Sequence, residues 1–189
     1  MWNRAAAFAL LGRYNEAIAS YDKALEIDPD DSTVWWFRGN ALGRLGRYDD
    51  AVTSYDKALE INPDDSDAWL CRGNALYGLN RYEEAIVSYD KRLEICPEDS
   101  TAWYNRGNAF SELGRNDDAV TSYDKALEID QELSDAWYNR GNSLDELNRY
   151  EEAIASYDKA LEIDPDDLAA LQNRNLAQNL KNKKPTSPH

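Results

Sequence analysis

The strongest constraint on this 189-residue chain is a unit of 34 residues that recurs from end to end. A fixed period of about 20 to 50 residues indicates stacked units, each in contact only with its neighbours, rather than one globular domain. A tryptophan, a glycine four residues after it, an alanine and a tyrosine all return in the same register. They are Trp35, Trp69, Trp103 and Trp137; Gly39, Gly73, Gly107 and Gly141; Ala17, Ala51, Ala85, Ala119 and Ala153; and Tyr21, Tyr55, Tyr89, Tyr123 and Tyr157.

Each unit contains two segments in which apolar and small residues are three and four positions apart. This spacing predicts two amphipathic helices per unit. Proline separates most units, and the Asp and Ser residues after it are suited to capping the next helix. Glycine or asparagine stands between the two segments, and these residues most readily adopt the left-handed conformation that closes a helix. The residues between the segments are Gly12, Gly46, Asn80, Gly114 and Asn148.

The order of these residues carries a family resemblance. A tryptophan, then Leu-Gly-x-x-Tyr, then an alanine, an aromatic residue and a further alanine before proline resembles the tetratricopeptide repeat family. The resemblance implies an all-α fold, a right-handed α-solenoid of helix-turn-helix units that forms an alpha-alpha superhelix. We expect repeats at 1–31, which lacks the start of its first helix, and at 32–65, 66–99, 100–133 and 134–167, then a capping helix at 168–184 and a tail at 185–189.

Two features of the basic residues are informative. Arg92 occupies a position that is alanine in other units, so we expect it to reach solvent or to separate its neighbours. The second feature is a series of arginines just before the recurring glycines, which we interpret as structural residues that pair with acidic side chains between helices. The series is Arg4, Arg38, Arg72, Arg106, Arg140 and Arg174.

Composition excludes several classes of function. The net charge of −15 disfavours nucleic acid and anionic membranes as partners. No segment has the run of about 18 apolar residues needed to span a bilayer, and no signal peptide is recognisable, so we take the cytoplasm as the default location. Cys71 and Cys96 lack metal-ligand spacing, and the single histidine is His189. The sequence therefore predicts no metal site, no cofactor and no enzymatic activity.

Recognition of another protein is the function that the family resemblance implies. In this family the first helices of successive units line a concave surface that binds extended peptides or partner helices. An asparagine there can donate and accept hydrogen bonds to a peptide backbone, although the same side chains can instead bond to neighbouring helices. The residues nominated for peptide binding are Trp36, Phe37, Asn40, Leu70, Cys71, Asn74, Tyr104, Asn105, Asn108, Tyr138, Asn139 and Asn142.

This predicted groove is chemically uneven, because its first half is apolar and its later half carries acidic residues. The acidic residues are Glu112, Asp135, Asp145 and Glu146. We expect a protein or peptide ligand with an apolar segment and a neutral or basic segment. The lysine and arginine positions of the family's chaperone-tail clamp are occupied by other residues, which argues against that ligand.

Two other functions stay open at this stage. In the first, the chain is a regulatory or targeting segment of a larger enzyme, such as a glycosyltransferase or kinase, whose catalytic domain lies outside this chain. Alternatively, the start of the first repeat stacks on another copy and the chain is a self-assembly module.

Overall fold

The computed structural model describes residues 2–183, and the regular structure in that range is α-helical, which confirms the predicted all-α class. The residues form two compact units, one ending at Pro97 and the other beginning at Glu98. Within each unit, helices that follow each other in sequence pack together. The first unit contains α1 (Trp2–Leu10), α2 (Tyr14–Leu25), α3 (Ser32–Arg44), α4 (Tyr48–Ile61), α5 (Ser66–Gly78) and α6 (Tyr82–Ile95); the second contains α7 (Ser100–Glu112), α8 (Asn116–Ile129), α9 (Ser134–Glu146), α10 (Tyr150–Ile163) and α11 (Leu168–Lys183).

The turn inside each helical hairpin contains one residue in the left-handed conformation. The amide of the next residue then bonds back to the preceding helix, as Arg47 N does to Leu42 O at 3.0 Å. Glycine and asparagine tolerate this conformation best, so the prediction made from residue type is confirmed. The positive φ angles are 72° at Gly12, 71° at Gly46, 58° at Asn80, 69° at Gly114 and 57° at Asn148.

A close contact within each hairpin accounts for the recurring glycine of the first helix. A Cβ atom at Gly39 would lie 2.6 Å from Cε1 of Tyr55, and one at Gly73 would lie 2.5 Å from Cε1 of Tyr89. Both tyrosines are buried, so their rings have little room to move. Gly107 and Gly141 make the same approach to the tyrosines of their own hairpins.

A recurring arginine joins three helices in several of the repeats. Arg140 on α9 donates from Nε to Asp124 Oδ1 of the preceding hairpin and from Nη1 to Ser156 Oγ of its own hairpin, both at 2.6 Å. Its guanidinium also lies over the Trp137 ring, 5.8 Å from the centroid. These contacts confirm the predicted pairing of the series with acidic side chains. Further examples are Arg38 with Asp22 and Ser54, Arg72 with Asp56 and Ser88, and Arg174 with Asp158.

Aspartate caps the first helix of most hairpins, because its carboxylate accepts an amide hydrogen from the first turn. Asp31, Asp65 and Asp99 each accept from the amide three residues later, at 3.0 to 3.1 Å. Helix α9 differs, since Leu133 precedes it and supplies no side-chain acceptor. The serines at the repeat starts lie inside the helices, so the caps of α3, α5 and α7 are the aspartates before these serines.

Arg92 does not turn to solvent, because acidic and polar partners lie within its reach. Its Nη1 atom donates to Ser66 Oγ at 2.8 Å and to Asp67 Oδ1 at 2.6 Å, both at the start of α5. The arginine side chain is 15% exposed, whereas that of Asp67 is 67% exposed. The arginine side chain is therefore mostly buried, and its charge meets a carboxylate that is open to solvent.

The last helix, α11, packs against α10 and buries Ala170 and Ala177. The predicted repeats each enclose one helix pair, and their boundaries stay predictions. Lys184 and the predicted tail at 185–189 lie outside the described residues. Among residues 2–183, no helix combines the length and the apolar character needed to cross a membrane.

Candidate functional site

The twelve nominated residues lie on the first helices of four hairpins, six in each unit. In the first unit they belong to α3 and α5, and in the second to α7 and α9. We call this the asparagine face of each unit. Eleven of the twelve are half-buried and Asn74 is exposed, so their side chains are partly engaged within the protein and partly accessible to a ligand.

The asparagine that follows each recurring glycine accepts a hydrogen bond from the buried tyrosine of its own hairpin. Tyr55 donates its hydroxyl hydrogen to Asn40 Oδ1 over 2.8 Å, and Tyr157 donates to Asn142 Oδ1 over 2.9 Å. Burial raises the pKa of both tyrosines well above the usual value, which keeps the hydroxyl protonated as a donor. Tyr89 with Asn74 and Tyr123 with Asn108 repeat the arrangement at 3.0 and 2.8 Å.

In the second unit the oxygen atoms of Asn108 and Asn142 each accept a second hydrogen bond, from an asparagine on α9 or α11. Asn139 Nδ2 donates to Asn108 Oδ1 at 3.0 Å and to the Tyr104 hydroxyl at 3.2 Å. Asn173 Nδ2 on α11 makes the equivalent contacts with Asn142 at 2.9 Å and Tyr138 at 3.2 Å. Sequence reasoning missed Asn173, although it follows Asn139 by one 34-residue period.

These contacts leave the amide nitrogens as the available groups of three asparagines. The Nδ2 atoms of Asn40, Asn108 and Asn142 make no hydrogen bond to any residue between 2 and 183. These three nitrogen atoms are accessible at the protein surface. The sequence left open whether the carboxamides bond within the protein or to a ligand. The structure shows the oxygens engaged within the protein, so the groups that a ligand meets are N–H donors that require acceptors such as carbonyl oxygens.

Aromatic and apolar side chains dominate the asparagine face of the first unit. The Trp36 and Phe37 rings meet edge to face, with centroids 4.8 Å apart. Phe37 also stacks on Tyr21 at 6.1 Å. Burial raises the pKa of the Cys71 thiol, so Cys71 is a neutral, small contact surface here rather than a thiolate nucleophile. Leu70 is half-buried beside it in sequence on α5.

The second unit has a more polar and more acidic first-helix surface. Glu112, Asp135 and Glu146 are exposed, and Asp145 is half-buried. The Oδ1 atom of Asp145 is buried without a partner in the described part of the chain. Loss of hydration, assisted by the nearby Glu146, raises the pKa of Asp145. A positively charged ligand group beside this carboxylate would give its oxygen a partner and would favour its ionised form.

Models of the tetratricopeptide repeat match residues 5–46 and 107–147, 38–100, 88–121 and 134–167, ranges that run without a gap from residue 5 to residue 167. None of these matches identifies a catalytic domain. No curated protein matches the chain in sequence.

Solved structures of repeat proteins superpose well on the chain. YrrB, described as a TPR protein with an unusual peptide-binding site, is 28% identical, with a TM-score of 0.84 over 92% of this chain and 90% of its own. MamA from Desulfovibrio magneticus RS-1 is 22% identical, with a TM-score of 0.83 over 88% of this chain and 94% of its own.

The TPR domain of Arabidopsis OM64 is 29% identical, with a TM-score of 0.59 over 60% of this chain and 94% of its own. The helical pairs, the glycine–tyrosine contacts and these matches all lead to the same assignment. The chain belongs to the tetratricopeptide repeat family of protein-interaction domains.

Proposed function

We propose that the chain is a protein-interaction scaffold that binds an extended peptide or a partner helix on its asparagine face. The observation that carries this proposal is the presence of unused N–H donors in both units, at Asn40 in the first and at Asn108 and Asn142 in the second. A polypeptide offers backbone carbonyl oxygens at regular intervals whatever its sequence, so such donors suit it well. Further support comes from the similarity to YrrB, which is described as having a peptide-binding site.

In this proposal the nominated residues of the two units contact different parts of the ligand. In the first unit, Trp36, Phe37, Leu70 and Cys71 contact an apolar segment. In the second unit, the tyrosine hydroxyls and asparagine amides contact a neutral or basic segment, which the acidic side chains attract. The net charge of −15 is consistent with a protein partner rather than nucleic acid or a membrane surface. The chain has no proposed catalytic residue or cofactor.

Asparagine-to-aspartate substitution tests the donors selectively. Asn108→Asp with Asn142→Asp retains an oxygen for Tyr123 and Tyr157 but removes both free N–H groups. We expect the double variant to fold. On a peptide array, it should no longer bind the neutral peptides that bind the natural protein. Asn62→Asp with Asn182→Asp is the control, because both residues are exposed, lie outside the asparagine face and add the same charge.

Two results would contradict the proposal. One is unchanged neutral-peptide binding by the Asn108/Asn142 variant, since this excludes the donors from the interface. The other is an array in which uniformly acidic peptides bind best. If light scattering shows a mass that rises with protein concentration and no peptide binds, the self-assembly alternative replaces the peptide-binding function.

A further inference from the structure

Two open clefts lie side by side in the first unit. The first, of about 410 Å³, is lined by residues of α1, α2 and α3, including Ala6, Tyr21 and Phe37. The second, of about 500 Å³, is lined by residues of α3, α4 and α5, including Tyr55 and Cys71. Asn40 and Arg44 line both clefts, so these two side chains, one turn apart on α3, form the ridge between them.

Small residues keep both clefts open. Ala9 lines the first cleft, and Gly43 takes the equivalent place in the second. One period further along, the same position is Tyr77, whose ring meets Tyr82 edge to face at 5.2 Å. The aromatic walls and the small residues at 9 and 43 make each cleft a suitable pocket for an apolar side chain.

Arg44 is the unusual residue of this surface. Its exposed side chain makes no ion pair or hydrogen bond with any residue of the described range 2–183. By contrast, Arg38 and Arg47 on either side of it each pair with an aspartate. In a protein with 36 acidic residues, an arginine with no carboxylate partner between residues 2 and 183 is well placed to receive one from a ligand.

The second group on the ridge has the same chemical preference. Asn40 Oδ1 accepts the Tyr55 hydroxyl, so its Nδ2 atom is what remains for a ligand. The ridge thus presents a guanidinium and an amide donor, and both require oxygen acceptors. The positions equivalent to Arg44 in the second unit are Glu112 and Glu146, which repel a carboxylate. The preference for an acidic group is therefore specific to the first unit.

We propose that the first unit recognises an extended peptide segment in which one acidic residue is flanked by two apolar side chains. The carboxylate lies on Arg44 and Asn40, and the apolar side chains fill the two clefts. Side chains of an extended chain alternate between its two faces, so the acidic residue shares a face with the residues two positions before and two positions after it, and the two apolar residues are four positions apart. The inference rests on the proposed function and refines its apolar segment.

Short fluorescein-labelled peptides test this inference by fluorescence anisotropy. Each carries Phe-Ser-Glu-Ser-Phe between Gly-Ser flanks, or the same sequence with Gln or Lys in place of Glu. We expect the Glu peptide to bind about tenfold more tightly than the Gln peptide, the lower end for a hydrogen bond to a charged group, and the Lys peptide to bind most weakly.

Variants of one ridge residue identify the group responsible. Arg44→Gln should abolish the preference for Glu over Gln, and Arg44→Glu should reverse it in favour of the Lys peptide. Arg47→Gln is the matched control, because Arg47 lines neither cleft and pairs with Asp50. Circular dichroism verifies that each variant is folded.

The outcomes separate this inference from the proposed function. Equal affinity for the three peptides, or a preference for Glu that persists in Arg44→Gln, refutes the acidic specificity while peptide binding itself stands. Failure of these peptides to bind, when other array peptides do, also refutes the inference. Failure of every peptide refutes both.

Discussion

Two glycines in one helix allow a stringent test of how the hairpins pack. Gly39 and Gly43 lie one turn apart in α3, and both face Tyr55 of α4. We compare Gly39→Ala with Gly43→Ala. The chemical change, the helix and the neighbouring tyrosine are the same, so the two variants differ in the space available for one methyl group.

The structure gives opposite signs for the two substitutions. Alanine in a helix interior is about 0.8–1 kcal/mol more favourable than glycine. At Gly43 the added Cβ meets nothing closer than the Tyr55 hydroxyl at 3.9 Å, so we expect a gain of about 1 kcal/mol. At Gly39 it would lie 2.6, 2.8 and 2.9 Å from three ring carbons of Tyr55, and overpacking of this kind costs about 1–3 kcal/mol.

Displacement of the Tyr55 ring also weakens its hydrogen bond to Asn40, which adds about 1 kcal/mol to the cost. After the helix gain is subtracted, Gly39→Ala should lower the free energy of unfolding by about 1–3 kcal/mol. The two variants should thus differ by about 2–4 kcal/mol, because one gains what the other loses.

Urea unfolding followed by far-UV circular dichroism measures this difference. With a slope of about 1–3 kcal/mol per molar urea, the two midpoints should be separated by at least about 0.7 M, with the natural protein between them. The reasoning is refuted if Gly39→Ala is as stable as Gly43→Ala. It is also refuted if Gly43→Ala is the less stable variant.

Three further substitutions in the second unit have defined outcomes. Leu133→Asp should raise the thermal midpoint, because the aspartate supplies the missing N-cap of α9 and such a cap stabilises a helix by about 1 kcal/mol. An unchanged thermal midpoint contradicts this. Arg140→Leu removes the link among three helices and should lower the free energy of unfolding in urea by about 1–3 kcal/mol. Arg149→Leu should cost less than about 1 kcal/mol, because the Arg149 side chain is 40% exposed and its carboxylate partners are open to solvent. Asp145→Asn should stabilise the protein at neutral pH, because a raised pKa means that the folded state loses stability as pH rises and the carboxyl ionises. This gain should disappear in urea titrations near pH 3, where the carboxyl is protonated in both states; a gain independent of pH refutes the titration argument.

Local features of the fold were predictable because they depend on few neighbouring residues. The left-handed turns at Asn80 and Asn148 follow from residue type and position between two amphipathic segments. The pairing of the arginine series was also predictable, because long cationic side chains spaced by the repeat must find partners between helices in an acidic protein. Arg92 was harder, since its partner Asp67 lies 25 residues away in sequence.

The chemistry of the asparagine face was only half predictable. Recurrence placed Asn40 on the correct helix, but the direction of its hydrogen bonds depends on Tyr55, which is 15 residues away and packed on another helix. Asn173 was missed because α11 lacks the tryptophan and glycine that mark other repeats. Arg44 was not predicted because it does not recur: the positions one, two and three periods later are Gly78, Glu112 and Glu146.

The arginine that joins three helices has a consequence for how such a chain can change length. Its aspartate belongs to the hairpin before it and its serine to its own, as with Arg72, Asp56 and Ser88. Excision or duplication of a whole period therefore brings together two ends that already carry matching halves of this contact. An array of this kind can gain or lose a hairpin in one recombination event without repair of the junction, whereas an insertion of any other length separates the partners.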